Sequence, residues 1–191
     1  MKFIRAEIED VIIIEPTLHG DSRGYFSETF RQDKLDDFLG YKINFIQDNE
    51  SKSSFGVLRG LHYQLPPKAQ TKLVRVIEGN VLDIAIDIRK GSPTFGKYVA
   101  VELSSKNHRQ LLIPRGFAHG FVVLSETAIF SYKVDNYYSP ENDRGILFSD
   151  SDIGIDWKID KNKMLLSERD KVLSCLKDIQ ELFQFGENLY V

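Results

Sequence analysis

Short runs in which apolar and polar residues alternate dominate the middle of the chain. Residues 82–88 are the clearest case, because aliphatic side chains from Leu82 to Ile88 occupy every second position, which is the period of a β-strand. Gly79-Asn80 before this run and Gly91-Ser92-Pro93 after it supply the turns. The same reasoning predicts strands over residues 11–15, 98–103, 110–113, 120–124 and 128–134.

Two helices are predicted, one on each side of the strands. The first covers residues 33–39 and is stopped by Gly40. The second begins at Ser167 and runs to residue 185, because apolar residues recur there at helical spacing, at Val172, Leu173, Leu176, Ile179, Leu182 and Phe183. No linker or repeat interrupts the chain. Residues 1–191 are therefore expected to form one mainly β domain, a closed barrel or double-sheet jelly roll with a short N-terminal helix and a C-terminal helix.

The strand over residues 82–88 has one aliphatic face and one face that carries Asp83 and Asp87. The simpler interpretation places the aliphatic face inside the barrel and the aspartates in water. The alternative packs the aliphatic face against another layer or a partner and turns the aspartates into a polar cavity. The pattern alone favours the first interpretation.

Composition and charge exclude several classes of protein. A net charge of −3 over 191 residues offers no wide basic surface for nucleic acid. No stretch approaches the roughly 20 apolar residues of a membrane span, and residues 1–10 lack the apolar run of a signal peptide. Cys175 is the only cysteine, so an intrachain disulfide is impossible. We expect a cytoplasmic protein.

Two of the four histidines lie in segments that suggest chemistry. His62 ends the sequence Leu58-Arg59-Gly60-Leu61-His62, in which an unbroken strand would place Arg59 and His62 on opposite faces. Gly60 permits a bulge that brings them to one face. His119 follows the Pro- and Gly-containing sequence 114–118, which marks a shaped loop. Either histidine alone is more often a structural residue.

Other candidate residues also have ordinary structural explanations when each is taken alone. Lys72 can be a solvated strand end, Tyr132 a packed ring, Arg23 a turn residue and Asp170 part of a capping box opened by Ser167. A metal is disfavoured, because no closely spaced pair of histidines exists and every ligand would come from an isolated position.

Taken together, however, these segments resemble the dTDP-4-dehydrorhamnose 3,5-epimerase family from about Val11 to Asp170. The match depends on many segments in the family's order. They are residues 20–26 (GDSRGYF), 47–49 (QDN), 58–64 (LRGLHYQ), 72–76 (KLVRV), 83–89 (DIAIDIR), 92–96 (SPTFG), 114–121 (PRGFAHGF), 132–133 (YK) and 137–140 (YYSP). The resemblance implies a cupin-type jelly roll, a homodimer, a nucleotide-diphosphate keto-sugar as substrate, and no cofactor or metal.

The resemblance also implies the roles of individual residues. His62 would be the base, supported by Asp170, and Tyr132 the acid on the opposite face of the sugar. Lys72 would hold the enolate oxygen. Independently of the resemblance, we expect Asp83, near Lys72 across the hairpin, to neutralise and aim it. The implied binding residues are Arg23, Arg59 and His119 for sugar and diphosphate, Glu28, Gln47, Asp48 and Asn49 for the nucleotide region, Tyr138 for stacking on the base, and Phe26, Asp143 and Arg169. Asp143 stands where known members carry Glu, and Arg169 where some carry Lys.

The chemistry explains why these residue types belong together. Inverting a carbon beside a ketone requires a base on one face, an acid on the other and a cation at the enolate oxygen. The expected reaction is 3,5-epimerisation of dTDP-4-dehydro-6-deoxy-glucose in dTDP-L-rhamnose-type biosynthesis. Alternatives are an epimerase of one carbon or of another nucleotide sugar such as a GDP-linked one, a 3,4-ketoisomerase, a non-catalytic binder and a metal-dependent cupin.

Overall fold

Two antiparallel β-sheets pack face to face in the computed structural model, which describes residues 1–190. The six-stranded sheet contains, in spatial order, β1 (Lys2–Arg5), β2 (Ile12–Glu15), β11 (Gln110–Ile113), β7 (Lys72–Glu78), β13 (Thr127–Val134) and β5 (Gln47–Ser54). The five-stranded sheet contains β10 (Tyr98–Ser104), β8 (Asn80–Asp87), β12 (Phe117–Val123), β6 (Leu58–Gln64) and β14 (Asp143–Gly145). The predicted double-sheet architecture is confirmed.

Short elements complete the described chain. A small hairpin joins β3 (His19–Asp21) to β4 (Gly24–Phe26), and a parallel pair joins β9 (Arg89–Lys90) to β15 (Phe183–Gln184). The α-helices are α1 (Gln32–Leu39) and α2 (Glu168–Lys171), and single 3-10 turns cover Lys161–Lys163 and Leu176–Asp178. Among the helices of residues 1–190, none has both the length and the apolar character of a membrane span.

An apolar core fills one part of the space between the sheets. Val74 and Phe130 contribute to it from the six-stranded sheet, and Ala85 and Phe121 from the five-stranded sheet. All four are at least 95% buried. Because successive residues of a strand point to opposite faces, each strand also presents a second set of apolar residues outward. Other segments of the chain must therefore pack over these outer faces to bury their apolar residues.

Helix α1 covers the outer face of the six-stranded sheet, and the helix predicted over residues 33–39 is confirmed. Leu35 is buried there against Ile12 and Leu112. Gly40 ends the helix in the left-handed region (φ 79°), and its N–H bonds the Asp36 carbonyl, which satisfies an end carbonyl that the helix itself leaves free.

The prediction of a helix over residues 167–185 is wrong beyond its first turn. Only Glu168–Lys171 is α-helical, and the chain then runs along the outer face of the five-stranded sheet to β15, with a single 3-10 turn at Leu176–Asp178. Leu176 and Phe183 are buried there, whereas Val172 is 80% exposed. The buried Asp150 carboxylate accepts the Leu176 N–H at 2.7 Å. These tertiary contacts outweigh a helical spacing that is only a weak signal.

The two aspartates of β8 also contradict the interpretation that the pattern favoured. Asp83 and Asp87 have no solvent-exposed surface. The aliphatic residues that alternate with them, including Ile84 and Ile86, pack instead under the C-terminal segment with Trp157. The outer face of β8 is thus a second core, and its acidic face points between the sheets. Alternation identified the two faces but could not say which of them met water, because both are covered.

Candidate active site

A cavity of about 510 Å³ lies between the two sheets. Its floor is apolar, with the rings of Phe121 and Phe130 stacked at a centroid distance of 4.0 Å. Its polar lining consists of Glu50, Ser51, Arg59, His62, Lys72, His119, Tyr132, Ser167, Arg169 and Asp170. All four predicted catalytic residues therefore line one cavity.

His62 and Asp170 form a hydrogen-bonded pair in the wall of the cavity. The His62 Nε2 atom lies 2.8 Å from Asp170 Oδ1, and the two side chains are 30% and 5% exposed. Burial alone would raise the pKa of the Asp170 carboxyl, but hydrogen bonds with His62 and Ser167 outweigh it and lower that pKa. Asp170 is therefore a carboxylate that accepts a hydrogen bond from the Nε2–H of His62, which leaves Nδ1 as the nitrogen with a free lone pair.

Asp170 reaches His62 because the first turn of α2 is capped as the sequence predicts. The Ser167 hydroxyl accepts the Asp170 backbone N–H at 3.1 Å. The predicted cap is confirmed and is compatible with the functional interpretation, since the cap uses the backbone of Asp170 and leaves its carboxylate for the histidine.

A bulge in β6 brings Arg59 to the same face as His62, as Gly60 suggested. The pairing of β12 with β6 shifts register between His119 and Phe121, and Gly60 adopts φ +135°. A Cβ at Gly60 would lie 2.5 Å from the Gly120 Cα, so no other residue fits this crossing. The Arg59 Nε donates to the Ser53 hydroxyl at 3.2 Å, and its terminal nitrogens make no hydrogen bond within residues 1–190.

Tyr132 faces His62 from the other sheet. It lies on β13, where it pairs with Asn49 of β5, and lines the same cavity. Burial raises the pKa of the Tyr132 phenol, against a smaller opposing effect of the Arg59 charge. The phenol is consequently a protonated donor at neutral pH.

Lys72 connects the two walls. It begins β7 beside β13, and its Nζ donates to the His62 carbonyl at 3.4 Å. Burial lowers the pKa of the Lys72 ammonium to about 8, although the charges of Asp143 and Asp83 act in the opposite direction. Lys72 is therefore a half-buried cation between base and phenol, and not a solvated strand end.

Asp83 pairs with His119 and makes no hydrogen bond to Lys72. Both carboxylate oxygens lie 3.0 Å from His119 Nε2, and the two side chains are 0% and 8% exposed. Burial raises the pKa of Asp83 and lowers that of His119, which disfavours the charged form of each. The expectation that Asp83 aims Lys72 directly is corrected, because its carboxylate holds His119 and reaches Lys72 only through its charge.

A second cavity of about 310 Å³ adjoins the first and shares His62, Lys72 and Tyr132 with it. Four of the predicted binding residues also line it: Gln47, Asn49, Tyr138 and Asp143. At its edge the Arg169 guanidinium pairs with Asp143 at 2.5 Å, and Asp143 accepts the Tyr138 hydroxyl at 3.2 Å. Three of the four predicted catalytic residues thus stand where two chambers meet.

Four other predicted binding residues do not line either cavity. The Arg23 side chain is 88% exposed and pairs with Asp21 in its own turn, and Phe26 on the same hairpin is 67% exposed. Glu28 pairs with Arg31. Asp48 bonds Lys133 at 2.9 Å and points away from the cavity, because it alternates along β5 with Gln47 and Asn49.

Sequence reasoning missed Ser53, which supports the site, and gave Asp83 the wrong partner. Ser53 holds Arg59, and Asp83 holds His119. Ser53 carries no signal of its own in the sequence. Asp83 did carry a signal in the sequence, since an aspartate on an interior strand requires a hydrogen-bonding partner when it is buried. Within residues 1–190, no group of three or more His, Cys, Asp or Glu side chains is placed to hold a metal ion.

A histidine–carboxylate pair, His62–Asp170, that faces the phenol of Tyr132 across a double-sheet barrel defines an enzyme of the acid–base type. A family model described as dTDP-4-dehydrorhamnose 3,5-epimerase matches residues 5–178. The chain belongs to this family of isomerases, and the expected cupin-type jelly roll is confirmed.

Individual relatives agree with the family assignment. The dTDP-4-dehydrorhamnose 3,5-epimerase of Shigella flexneri is 56% identical over 170 residues, which are 89% of this chain and 93% of the relative. The crystal structure of the same enzyme from Elizabethkingia anophelis is 52% identical, with a TM-score of 0.90 over 93% of this chain and 97% of that one. The Legionella pneumophila dTDP-6-deoxy-D-glucose-3,5-epimerase in complex with dTDP-4-keto-L-rhamnose is 45% identical, with a TM-score of 0.93 over 97% and 99% of the two chains.

Proposed function

We propose that this protein inverts two carbons of dTDP-4-dehydro-6-deoxy-glucose, the 3- and 5-positions that flank the ketone. One observation carries the proposal. His62 and its partner Asp170 form one wall of the cavity, Tyr132 lies on the facing sheet, and Lys72 stands between the two walls. A base and an acid on opposite walls suit a reaction that removes a proton from one face of a sugar and returns one to the other.

Proton removal begins at His62. Its Nδ1 takes the proton from the carbon beside the ketone, and the electrons of that C–H bond form a C=C bond to the carbonyl carbon. The carbonyl oxygen becomes the enolate oxygen. The Asp170 carboxylate stabilises the resulting imidazolium through Nε2 and fixes the orientation of the ring.

Lys72 stabilises the enolate. Its ammonium is fixed between the two walls before the reaction starts, so the protein does not reorganise as negative charge develops. A preformed donor of this kind is commonly worth about 3–4 kcal/mol of barrier. Tyr132 then donates its O–H proton to the opposite face of the carbon, the C=C electrons form the new C–H bond and the ketone is restored. Solvent returns a proton to the phenolate and removes one from His62.

The rest of the substrate occupies both chambers. Arg59 presents free guanidinium nitrogens that suit a diphosphate, and His119 lies beside the sugar. Gln47, Asn49 and Tyr138 line the second cavity, where the amides bind the nucleotide and the exposed ring stacks on the base. The Asp143–Arg169 pair closes the edge of this chamber.

The chain is a homodimer in this proposal, and the hairpin of β3 and β4 serves a second copy. Arg23 and Phe26 are too exposed to act in their own cavity, and Tyr25 beside them is 62% exposed. An exposed cation on the same hairpin as two exposed aromatic rings is suited to reach into another molecule's site. In a symmetric pair each hairpin would complete the partner's cavity.

Competing reactions make different demands on the site. A 3,4-ketoisomerase returns the proton on the face from which it came, which the facing placement of His62 and Tyr132 disfavours. An epimerase of one carbon, or of a differently linked nucleotide sugar, would use the same four residues and is distinguished only by its product.

The deciding experiment incubates the protein in heavy water with a panel of nucleotide-linked 4-keto-6-deoxy sugars. We expect turnover of the dTDP-linked sugar, with deuterium in the inverted product at both C3 and C5 by proton NMR. Label at C3 alone would replace the proposal with a single-carbon epimerase, and label without inversion would remove it. His62→Ala is the control and should lose almost all labelling, because general-base catalysis is worth at least about 100-fold.

A further inference from the structure

The amide of Gln64 is buried at the end of β6 and makes three hydrogen bonds to backbone groups, through both of its N–H donors and its carbonyl oxygen. Gln64 is only 4% exposed. The Nε2 donates to the Lys68 carbonyl at 2.6 Å and to the Tyr137 carbonyl at 3.2 Å, and the Oε1 accepts the Ser139 N–H at 2.9 Å. A buried amide so completely bonded holds its partners in one arrangement.

Two of these three partners flank a single residue, Tyr138. The carbonyl before it and the N–H after it are both held by Gln64. The Tyr138 hydroxyl is held separately by Asp143. Although the tyrosine is 58% exposed on a loop, its backbone and its tip are therefore both fixed, and its ring stands in the wall of the second cavity.

We propose that Gln64 is a positioning residue for substrate binding, which holds Tyr138 in place to receive the nucleobase. The inference rests on the proposed function, since it assumes that Tyr138 stacks on the base of a nucleotide sugar. An exposed aromatic ring that is already ordered loses little conformational freedom when a base stacks on it. Gln64 acts through the loop and does not touch the reacting carbon.

The test is a double-mutant cycle of Gln64→Met and Tyr138→Ala. Methionine keeps the length and volume of glutamine but removes all three hydrogen bonds. Stacking on one aromatic ring is worth enough to change affinity several-fold or more. We expect Gln64→Met to raise KM for the dTDP-linked keto-sugar, and Kd for dTDP by calorimetry, by roughly five- to tenfold, with kcat changed less than about twofold. In the Tyr138→Ala background, Gln64→Met should raise KM and Kd by less than about twofold.

Asn107→Ala is the matched control. Asn107 also makes three hydrogen bonds to backbone groups, to Ser104, Glu102 and Arg109, but in the turn between β10 and β11, away from both cavities. It should lower the melting temperature and leave KM unchanged. Gln64→Glu is a second variant in case methionine prevents folding, because it retains the acceptor for Ser139 and loses both donors.

The outcomes separate the two proposals. A wild type that neither turns over the keto-sugar nor binds dTDP overturns the proposed function. If the wild type is active, two results overturn the positioning role. One is that Gln64→Met raises KM by the same factor with Tyr138 present and with Tyr138→Ala, and the other is that Gln64→Met lowers kcat alone. A KM effect that disappears in the Tyr138→Ala background supports it.

Discussion

At the scale of single residues, the site depends on how burial and hydrogen bonds set protonation. Asp170 is held as a carboxylate, the Tyr132 phenol is held protonated, and Lys72 is brought to a pKa of about 8. These three states are the ones that an enolate mechanism needs at neutral pH. Because each protonation state belongs to a different side chain, a single substitution can test each state separately.

Tyr132→Phe should separate deprotonation from inversion. The ring and its packing remain, but the proton donor on the second face is lost. In heavy water we expect this variant to place deuterium into recovered, uninverted substrate faster than it forms product, because His62 and Lys72 still form the enolate. Mass spectrometry and NMR of both sugar pools over time give the ratio. Inversion at the wild-type rate would mean that another donor serves this face.

Lys72 should give the protein a loss of activity at high pH. Because burial lowers its pKa to about 8, its positive charge is present below that pH and is lost as the pH rises through it. We therefore expect kcat/KM, which reports the free enzyme, to fall above about pH 8. In Lys72→Arg, whose charge persists, the rate should be lower but this fall should be absent. A fall that persists in the arginine variant would assign it to another group.

At the scale of elements, the bulge in β6 decides whether a strand carries one functional residue or two. Leu58 and Leu61 both point to the outer core, so Arg59 and His62 both point inward. Gly60 makes this possible through its positive φ and its contact with Gly120. Sequence reasoning could predict the bulge from the glycine, but only the pairing of β6 with β12 fixes its position.

Gly60→Ala should damage stability and activity together. The added Cβ would meet the Gly120 Cα at 2.5 Å and the His119 carbonyl oxygen at 2.9 Å. Strain at such a φ costs about 1–3 kcal/mol before any clash, so thermal unfolding should move down by several degrees and turnover should fall further than the folded fraction. Gly91→Ala is the control, because Gly91 also has positive φ (84°) but no atom within 4 Å of a Cβ. Equal losses in both variants would assign the effect to backbone strain alone.

At the scale of the whole molecule, the proposed dimer explains why residues that the resemblance places in the site lie outside this chain's cavity. We expect light scattering to give twice the chain mass of 22.0 kDa. A mixture of inactive His62→Ala with Arg23→Ala, allowed to exchange subunits, should recover activity at limiting substrate. A mixed dimer contains one site with both groups intact, so random exchange yields roughly a quarter of the wild-type sites. No recovery despite subunit exchange would place Arg23 outside any site.

The sequence by itself determined six strands of the two large sheets, the first helix, the capping of α2 and the family. Each of these depends on local periodicity, on a turn or cap residue, or on an ordered series of motifs. Only the tertiary structure decided the course of residues 172–185, whose apolar spacing suits a helix but whose burial requires an extended path over the sheet. It also decided that Asp83 faces inward and holds His119, and that Arg23, Phe26, Glu28 and Asp48 lie outside this chain's cavity. Such choices depend on which layer covers each face, and that is set by contacts between residues far apart in the chain.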